Sequence, residues 1–220
     1  MTGQVTEQDR ILFEKHKQRA QAIGWIVNGI AGEFVGQPDD GVIVPNPAQE
    51  LEDLLGRRID FFLAHPKFSE FIGNWKRVWG PFVYLAAPPF NKSATNAIYV
   101  AQQGNNYVVG VAGTNPTSLH NWLIEDLYVG ALADWAKYTE NDPLLHPKIS
   151  MGTKIGLDNL LRKHPGSSQT IIDFLSNLLK EAKQNIEILL TGTSLGGALS
   201  PVLALALHEQ KSTWDPNNRG

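Results

Sequence analysis

One hydroxyl in this chain stands where it could act as a nucleophile. Ser194 lies in Gly192-Thr193-Ser194-Leu195-Gly196, a G-x-S-x-G pattern, between an apolar run of strand length, Ile186 to Leu190, and a stretch from Leu195 onward that reads as a helix. So sharp a strand-to-helix turn has no room for side chains at its flanks. Glycine is therefore needed at 192 and 196, and Gly197 and Ala198 let the helix approach its strand. Ser194 is then expected at the top of a sheet, with the backbone N–H of Leu195 aimed at the oxygen that turns negative when the serine attacks a carbonyl. The pentapeptide is only moderately specific by itself. Its place between strand and helix gives it weight.

An oxyanion needs a second donor from an earlier strand–loop junction. Val108 to Gly113 reads as a buried strand running into Gly113-Thr114-Asn115-Pro116, and ligand chemistry in open α/β sheets sits at such C-terminal strand ends. Thr114 offers a backbone N–H and a hydroxyl there. Without the elbow it would be an ordinary turn.

A serine hydroxyl attacks poorly unless a base takes its proton, and in this arrangement an Asp or Glu and then a His follow the serine in the chain. After Ser194 there is one histidine, His208, with Glu209 and Asp215 as acids. At 1.5 Å per residue His208 lies about 20 Å along the helix from the elbow, so it reads as a helix-end histidine. Asp215, in Trp214-Asp215-Pro216-Asn217-Asn218, reads as turn chemistry. His120 reads as a loop residue, and His16, His65, His146 and His164 are scattered, mostly beside prolines or on polar faces. They form no metal-ligand spacing such as H-E-x-x-H, and no cofactor is expected.

The elements that must position these residues can be read from the pattern. Thr6-Glu7-Gln8-Asp9 resembles a capping box, and a helix is expected from Glu7 towards Ile30, with Ile11 among its apolar positions, docked on the back of the domain. A Pro, Asp and Gly-rich loop spans Pro38 to Pro47. Helices follow over Ala48 to Ala64 and Lys67 to Val78, the second presenting Phe68, Phe71, Ile72 and Trp75 as core. From Phe82 the period becomes that of strands, over Phe82 to Ala86, Ala97 to Gln102 and Tyr107 to Gly113, with Gly104-Asn105-Asn106 as the turn between the last two.

Tyr128 to Tyr138 places Tyr128, Leu132, Trp135 and Ala136 on one helical face, read either as a flap over Ser194 or as a helix packed permanently on the domain. Helices over Ile155 to Arg162 and Thr170 to Ala182 lead into the elbow strand, the second with Ile171, Leu175, Leu178 and Leu179 on one face. Pro201 should kink the helix after the elbow. The fold expected is α/β, a mostly parallel sheet flanked by helices. Residues 1–80 form an N-terminal helical region packed on the core, residues 81–220.

The 220 residues, 42% apolar, carry 19 basic and 22 acidic side chains, a net charge of −3, and no cysteine. No nucleic-acid partner is suggested, and disulfides and cysteine-based zinc sites are excluded. The N-terminus lacks the apolar region of a secretory signal, and no stretch approaches the roughly 18 apolar residues of a membrane span. No transmembrane segment is expected, and a cytoplasmic location is; a processed secreted protein would have the same composition.

Four blocks in order, Tyr107 to Thr114, Asn121 to Leu127, Lys148 to Thr153 and Thr191 to Leu199, resemble the successive blocks of the fungal-type class 3 lipases. The resemblance covers roughly Ala97 to His208. It implies an α/β-hydrolase fold, hydrolysis of carboxylic esters, lipid substrates met at a transient lipid interface, Ser194 as nucleophile, and Thr114 with Leu195 as the oxyanion hole. The family's Arg before Gly-Thr is Ala112 here, its elbow His is Thr193, and its His-x-Gly-Phe block is Ser150-Met151-Gly152-Thr153. Family members carry further strands after the elbow helix, which hold the acid and the base. The resemblance therefore places the catalytic Asp and His beyond residue 220, makes the chain an incomplete serine hydrolase, and predicts little turnover from these residues alone. The competing expectation is a non-catalytic module of the same fold that binds lipid or protein. A weaker one is action on an amide or thioester.

Overall fold

The computed structural model describes residues 47–85, 94–112, 131–135 and 147–220, with Thr6, Glu7, Gln8, Arg10, Ile11 and Glu14 near the N-terminus. Those first positions are helical from Glu7, with Arg10 N–H donating to Thr6 O at 3.1 Å, but Ile11 is 62% exposed rather than docked. The remainder of that expected helix, and the Pro38 loop, lie outside the described residues.

Helix α1, Pro47–Ala64, matches the apolar spacing of Leu55, Ile59 and Leu63, all buried. Helix α2, Pro66–Ile72, is shorter than the pattern suggested. It starts at His65, whose Nδ1 accepts from Lys67 N–H at 3.3 Å, and stops at Gly73, where φ is +92°. Ending there turns Phe71 outward at 74% exposure, so Phe71 is not the core residue its spacing implied; Ile72 and Trp75 are buried. The change from helix to strand expected at Phe82 therefore comes earlier. Strand β1 already runs over Lys76–Leu85.

Strands β2, Ala94–Gln103, and β3, Asn106–Val111, are joined by the Gly104-Asn105 turn. Strand β6, Glu187–Gly192, completes a four-stranded sheet in the order β1-β2-β3-β6. The parallel pairing is β3–β6, the one that carries the elbow; β1–β2 and β2–β3 are antiparallel, so the described sheet is mixed. A separate ribbon pairs β4, Leu132–Asp134, with β5, Lys148–Ser150. This overturns the expectation of one helix over Tyr128 to Tyr138. Its centre is a strand, with Leu132 exposed between the strand's edge and solvent while Ala133 and Trp135 are buried; the rest of that stretch lies outside the described residues.

After β5 come α3, Met151–Leu161, α4, Ile171–Glu181, then β6, α5, Leu195–Glu209, and the short α6, Lys211–Trp214. Thr170 and Asp173 close a reciprocal capping box at the start of α4, which fixes the entry of the crossover into β6. Period-two alternation sorts the sheet's side chains. Ile98, Val100, Val109 and Val111 pack against α3, α4 and α5, while Ala97, Tyr99, Ala101 and Val108 pack against α1 and α2. The result is three layers, helix on sheet on helix.

The β1 edge is finished by side chains. Ala97 O accepts from Ala112 N–H at 2.8 Å, so Ala97 turns its backbone groups to β3 and its antiparallel partner Val83 turns its own outward. There Val83 N–H donates to Glu52 Oε1 at 2.8 Å and Val83 O accepts from His164 Nε2 at 2.9 Å. Gly166 N–H donates to His164 Nδ1 at 3.0 Å, which fixes the neutral Nε2–H tautomer. A carboxylate and an imidazole thus stand in for a neighbouring strand. His164, one of the histidines that read as scattered beside prolines or on polar faces, is 6% exposed, and Glu52 is 7% exposed.

Candidate active site

Strand β6 ends at Gly192 and α5 begins at Leu195, leaving Thr193 and Ser194 to make the whole turn. Ser194 has φ 52° and ψ −126°, in the region that favours glycine. Its side chain is exposed and, although it occupies the N-cap position of α5, makes no capping bond. An N-cap serine ordinarily spends its oxygen on the helix N–H groups. This one does not, and its Oγ is left for a reactant.

The turn's glycines are required by contact. A Cβ on Gly192 would stand 2.2 Å from Gly196 O, and one on Gly196 would stand 2.2 Å from Val111 O. The first turn of α5 therefore rests directly on the C-terminal end of β3. Ala198 N–H donates to Ser194 O at 3.2 Å as the helix's first internal bond, so the N–H of Leu195 precedes the ladder and lies at the positive end of the helix dipole. Helix α5 runs on through Pro201, which is exposed and leaves Gly197 O without its helical donor.

The sequence-derived site residues fall into two groups. Ser194 and Leu195 come together at the elbow, with Ala112, the last described residue after β3, close behind Gly196. Thr114 and His120 lie outside the described residues, as do His16 and His146. His208 sits exposed in the last turn of α5, at the far end from Ser194. Asp215 is 3% exposed and accepts the N–H groups of Arg219 and Gly220, each at 2.8 Å, so it is turn chemistry as read.

The departures from the family's blocks also have structural readings. Thr193 Oγ1 is buried and has no hydrogen-bond partner among the described residues. Ser150 caps α3, its Oγ accepting from Thr153 N–H at 3.1 Å. Two clefts of 330 and 380 Å³ are lined by residues of α1, β1 and the β2–β3 turn among others, and Ser194 lines neither.

Residues 131–218 match the family model of lipase (class 3). This segment is therefore similar to the class 3 lipases. The crystal structure of M37 lipase is similar at 28% identity with a TM-score of 0.68, over 90% of this chain and 55% of that one. The chain thus spans about half the length of that lipase. Lip2 lipase from Yarrowia lipolytica is similar at 17% identity and a TM-score of 0.46, over 94% of this chain and 56% of that one. No curated protein sequence matches. With the elbow between a parallel strand and a helix, the fold is that of the α/β-hydrolases, as the class 3 blocks implied. No helix among the described residues is long and apolar enough to cross a membrane.

Proposed function

We propose that this chain is part of a serine hydrolase of lipid carboxylic esters, with Ser194 as nucleophile. The observation that carries the reading is the backbone of Ser194, held at positive φ with an exposed hydroxyl that declines its capping bond. A non-glycine residue there costs about 1–3 kcal/mol, and such strain persists where the surroundings impose it. Attack by Oγ on the ester carbonyl forms the Oγ–C bond as the hydroxyl proton passes to a base. Collapse expels the alcohol, and water then releases the acid from the acyl-enzyme.

The developing oxyanion is assigned to Leu195 N–H and Thr114. Ala112 is two residues before Thr114, which keeps their Cα atoms within about 7 Å of each other, and the Val111–Ala112 end of β3 touches Gly196. The acid and base are assigned to chain beyond residue 220, as the resemblance to the class 3 lipases implies; among the described histidines His65 caps α2, His164 bonds to Val83 and His208 lies at the far end of α5. The substrate is an ester-bearing lipid, met in transient contact with a lipid surface.

A fluorophosphonate probe tests the nucleophile. Labelling of wild type and not of Ser194→Ala supports the reading. No labelling of a longer product that includes a downstream Asp and His favours the second reading, a binding module of the same fold.

A further inference from the structure

The corner where α1 gives way to α2 collects aromatic rings. Phe61 meets Phe62 and His65, and Phe68 meets the same two, with ring centroids 5.2–5.8 Å apart and mostly edge to face. Phe62, His65 and Phe68 are half-buried, which fixes the cluster on the domain. Phe61 and Phe71 stand out of it, at 62% and 74% exposure.

Each of these two rings has a cation one helical turn before it. Arg57 precedes Phe61 and Lys67 precedes Phe71 by four residues, so each pair shares a helix face, and both cations are exposed. Residues 57–77 hold Arg57, Arg58, Lys67, Lys76 and Arg77 against Asp60 and Glu70, a charge of +3 in a chain whose total is −3. Asp60 is moreover engaged by Arg77 at 2.6 Å. Exposed apolar rings bordered by cations are what an interfacial helix offers to a negatively charged lipid surface.

We propose that this corner docks on an anionic bilayer, with Phe61 and Phe71 entering the headgroup layer and Arg57 and Lys67 meeting the lipid anions. A protein partner fits less well. Two phenylalanines offer about 300–500 Å², short of the about 800 Å² per partner that a specific protein interface uses. A second copy of the chain, meeting this corner about a two-fold axis, would set like charge against like. The corner lies at the β2–β3 turn end of the sheet, where Lys76 pairs with Gln102 and Gly73 lies against the Gln103 side chain. The elbow lies at the Val111 and Gly192 end, about 17 Å away along β3. Docking here is a tether, separate from any contact that a substrate makes at Ser194 and independent of that residue's chemistry.

Co-sedimentation with vesicles tests the tether, in a Ser194→Ala background so that no lipid is hydrolysed. The protein should sediment with vesicles of phosphatidylcholine and phosphatidylserine in equal parts, more weakly with phosphatidylcholine alone, and less as salt is raised. Arg57→Gln with Lys67→Gln should weaken binding to the mixed vesicles about 25-fold, about fivefold for each cation. Phe61→Ser with Phe71→Ser should abolish sedimentation with either vesicle at an unchanged circular dichroism spectrum, since both rings are exposed. Leu205→Ser removes an exposed apolar side chain from α5 and should bind like its parent. No sedimentation with the mixed vesicles overturns the proposal, as does binding that survives loss of both phenylalanines, that falls equally in Leu205→Ser, or that does not distinguish the two vesicles. Retention on a polyglutamate resin without vesicle binding would overturn it too, and give the corner to an acidic protein.

Discussion

Gly196 lies against Val111 so closely that a Cβ added to it would stand 2.2 Å from the Val111 carbonyl oxygen and 2.8 Å from the Ala112 carbonyl carbon. Both neighbours are backbone, so neither can rotate away as a side chain would. This contact sets the distance between the elbow and the end of β3, and hence between Leu195 N–H and whatever the chain after β3 contributes. Gly196→Ala is expected to destabilise by at least about 2 kcal/mol, within the upper range for overpacking, read as a lower urea midpoint, and to slow probe labelling of Ser194. Gly197→Ala is the control. Its Cβ would meet Gly192 O at 3.3 Å, a few tenths of an ångström of adjustment, and alanine gains about 1 kcal/mol of helix propensity. Equal losses in the two variants would mean that the β3 contact is not what fixes the turn.

The positive φ of Ser194 can be tested separately from its hydroxyl. Glycine at this position relieves the strain, and alanine keeps it. Ser194→Gly is expected to be about 1 kcal/mol more stable than Ser194→Ala despite the entropy glycine loses on folding, because the relieved strain of about 1–3 kcal/mol outweighs it. Chemical denaturation of both variants decides this. If Ser194→Ala is the more stable, the turn is not strained.

Much of the site was legible because its requirements are local. Gly192, Ser194 and Gly196 are dictated by one turn, and the apolar run before them and the helix after them lie within the same short stretch. The same locality made Asp215 readable as a turn. What the sequence hid depends on partners far along the chain. His164 looks like a loop histidine because its meaning comes from Val83 and Glu52, 81 residues from the first. Phe71 keeps helical spacing with Phe68, yet Gly73 ends the helix before that spacing can define a face. Leu132, Trp135 and Ala136 match helical spacing as well, and the pairing of Leu132–Asp134 with Lys148–Ser150 overrides it. The antiparallel β1–β2 pairing was missed for a further reason: β1 starts at Lys76, inside what the apolar spacing of Ile72 and Trp75 had extended as helix.

Glu52 makes stability depend on pH. Burial is the main cause that holds its carboxyl above the ordinary value of 4.5, offset in part by the bond from Val83 N–H. A raised folded value means that the folded state binds this proton more tightly than the unfolded chain does. Its contribution is therefore most favourable below pH 4.5 and is lost as pH rises through the folded value. Glu52→Gln keeps an oxygen for Val83 N–H and for His164 Nε2, which lies 3.0 Å from Glu52 Oε1, but cannot ionise. The variant should lose the Glu52 part of this slope, so that its stability relative to wild type increases with rising pH between 4.5 and neutrality. Urea unfolding of both proteins at several pH values measures the difference. Parallel profiles would show that Glu52 titrates as it does in the unfolded chain.

Thr193 occupies the elbow position next to the nucleophile, and its Oγ1 is buried without a partner among the described residues. An unsatisfied buried hydroxyl costs about 1–3 kcal/mol, whereas an apolar group of the same shape costs nothing of the kind. Thr193→Val is isosteric and β-branched, so it keeps the shape of the side chain at the turn into Ser194. The variant is expected to gain about 1 kcal/mol of stability, seen as a higher melting temperature, with Ser194 labelled by the probe as fast as in wild type. A slower reaction at unchanged or higher stability would give the hydroxyl a different role, as a group that finds its hydrogen bond only when the site is acylated. Thr193→Ser separates the two readings, since it keeps the hydroxyl and removes only a methyl group: it should restore the rate in the second case and lower stability in both.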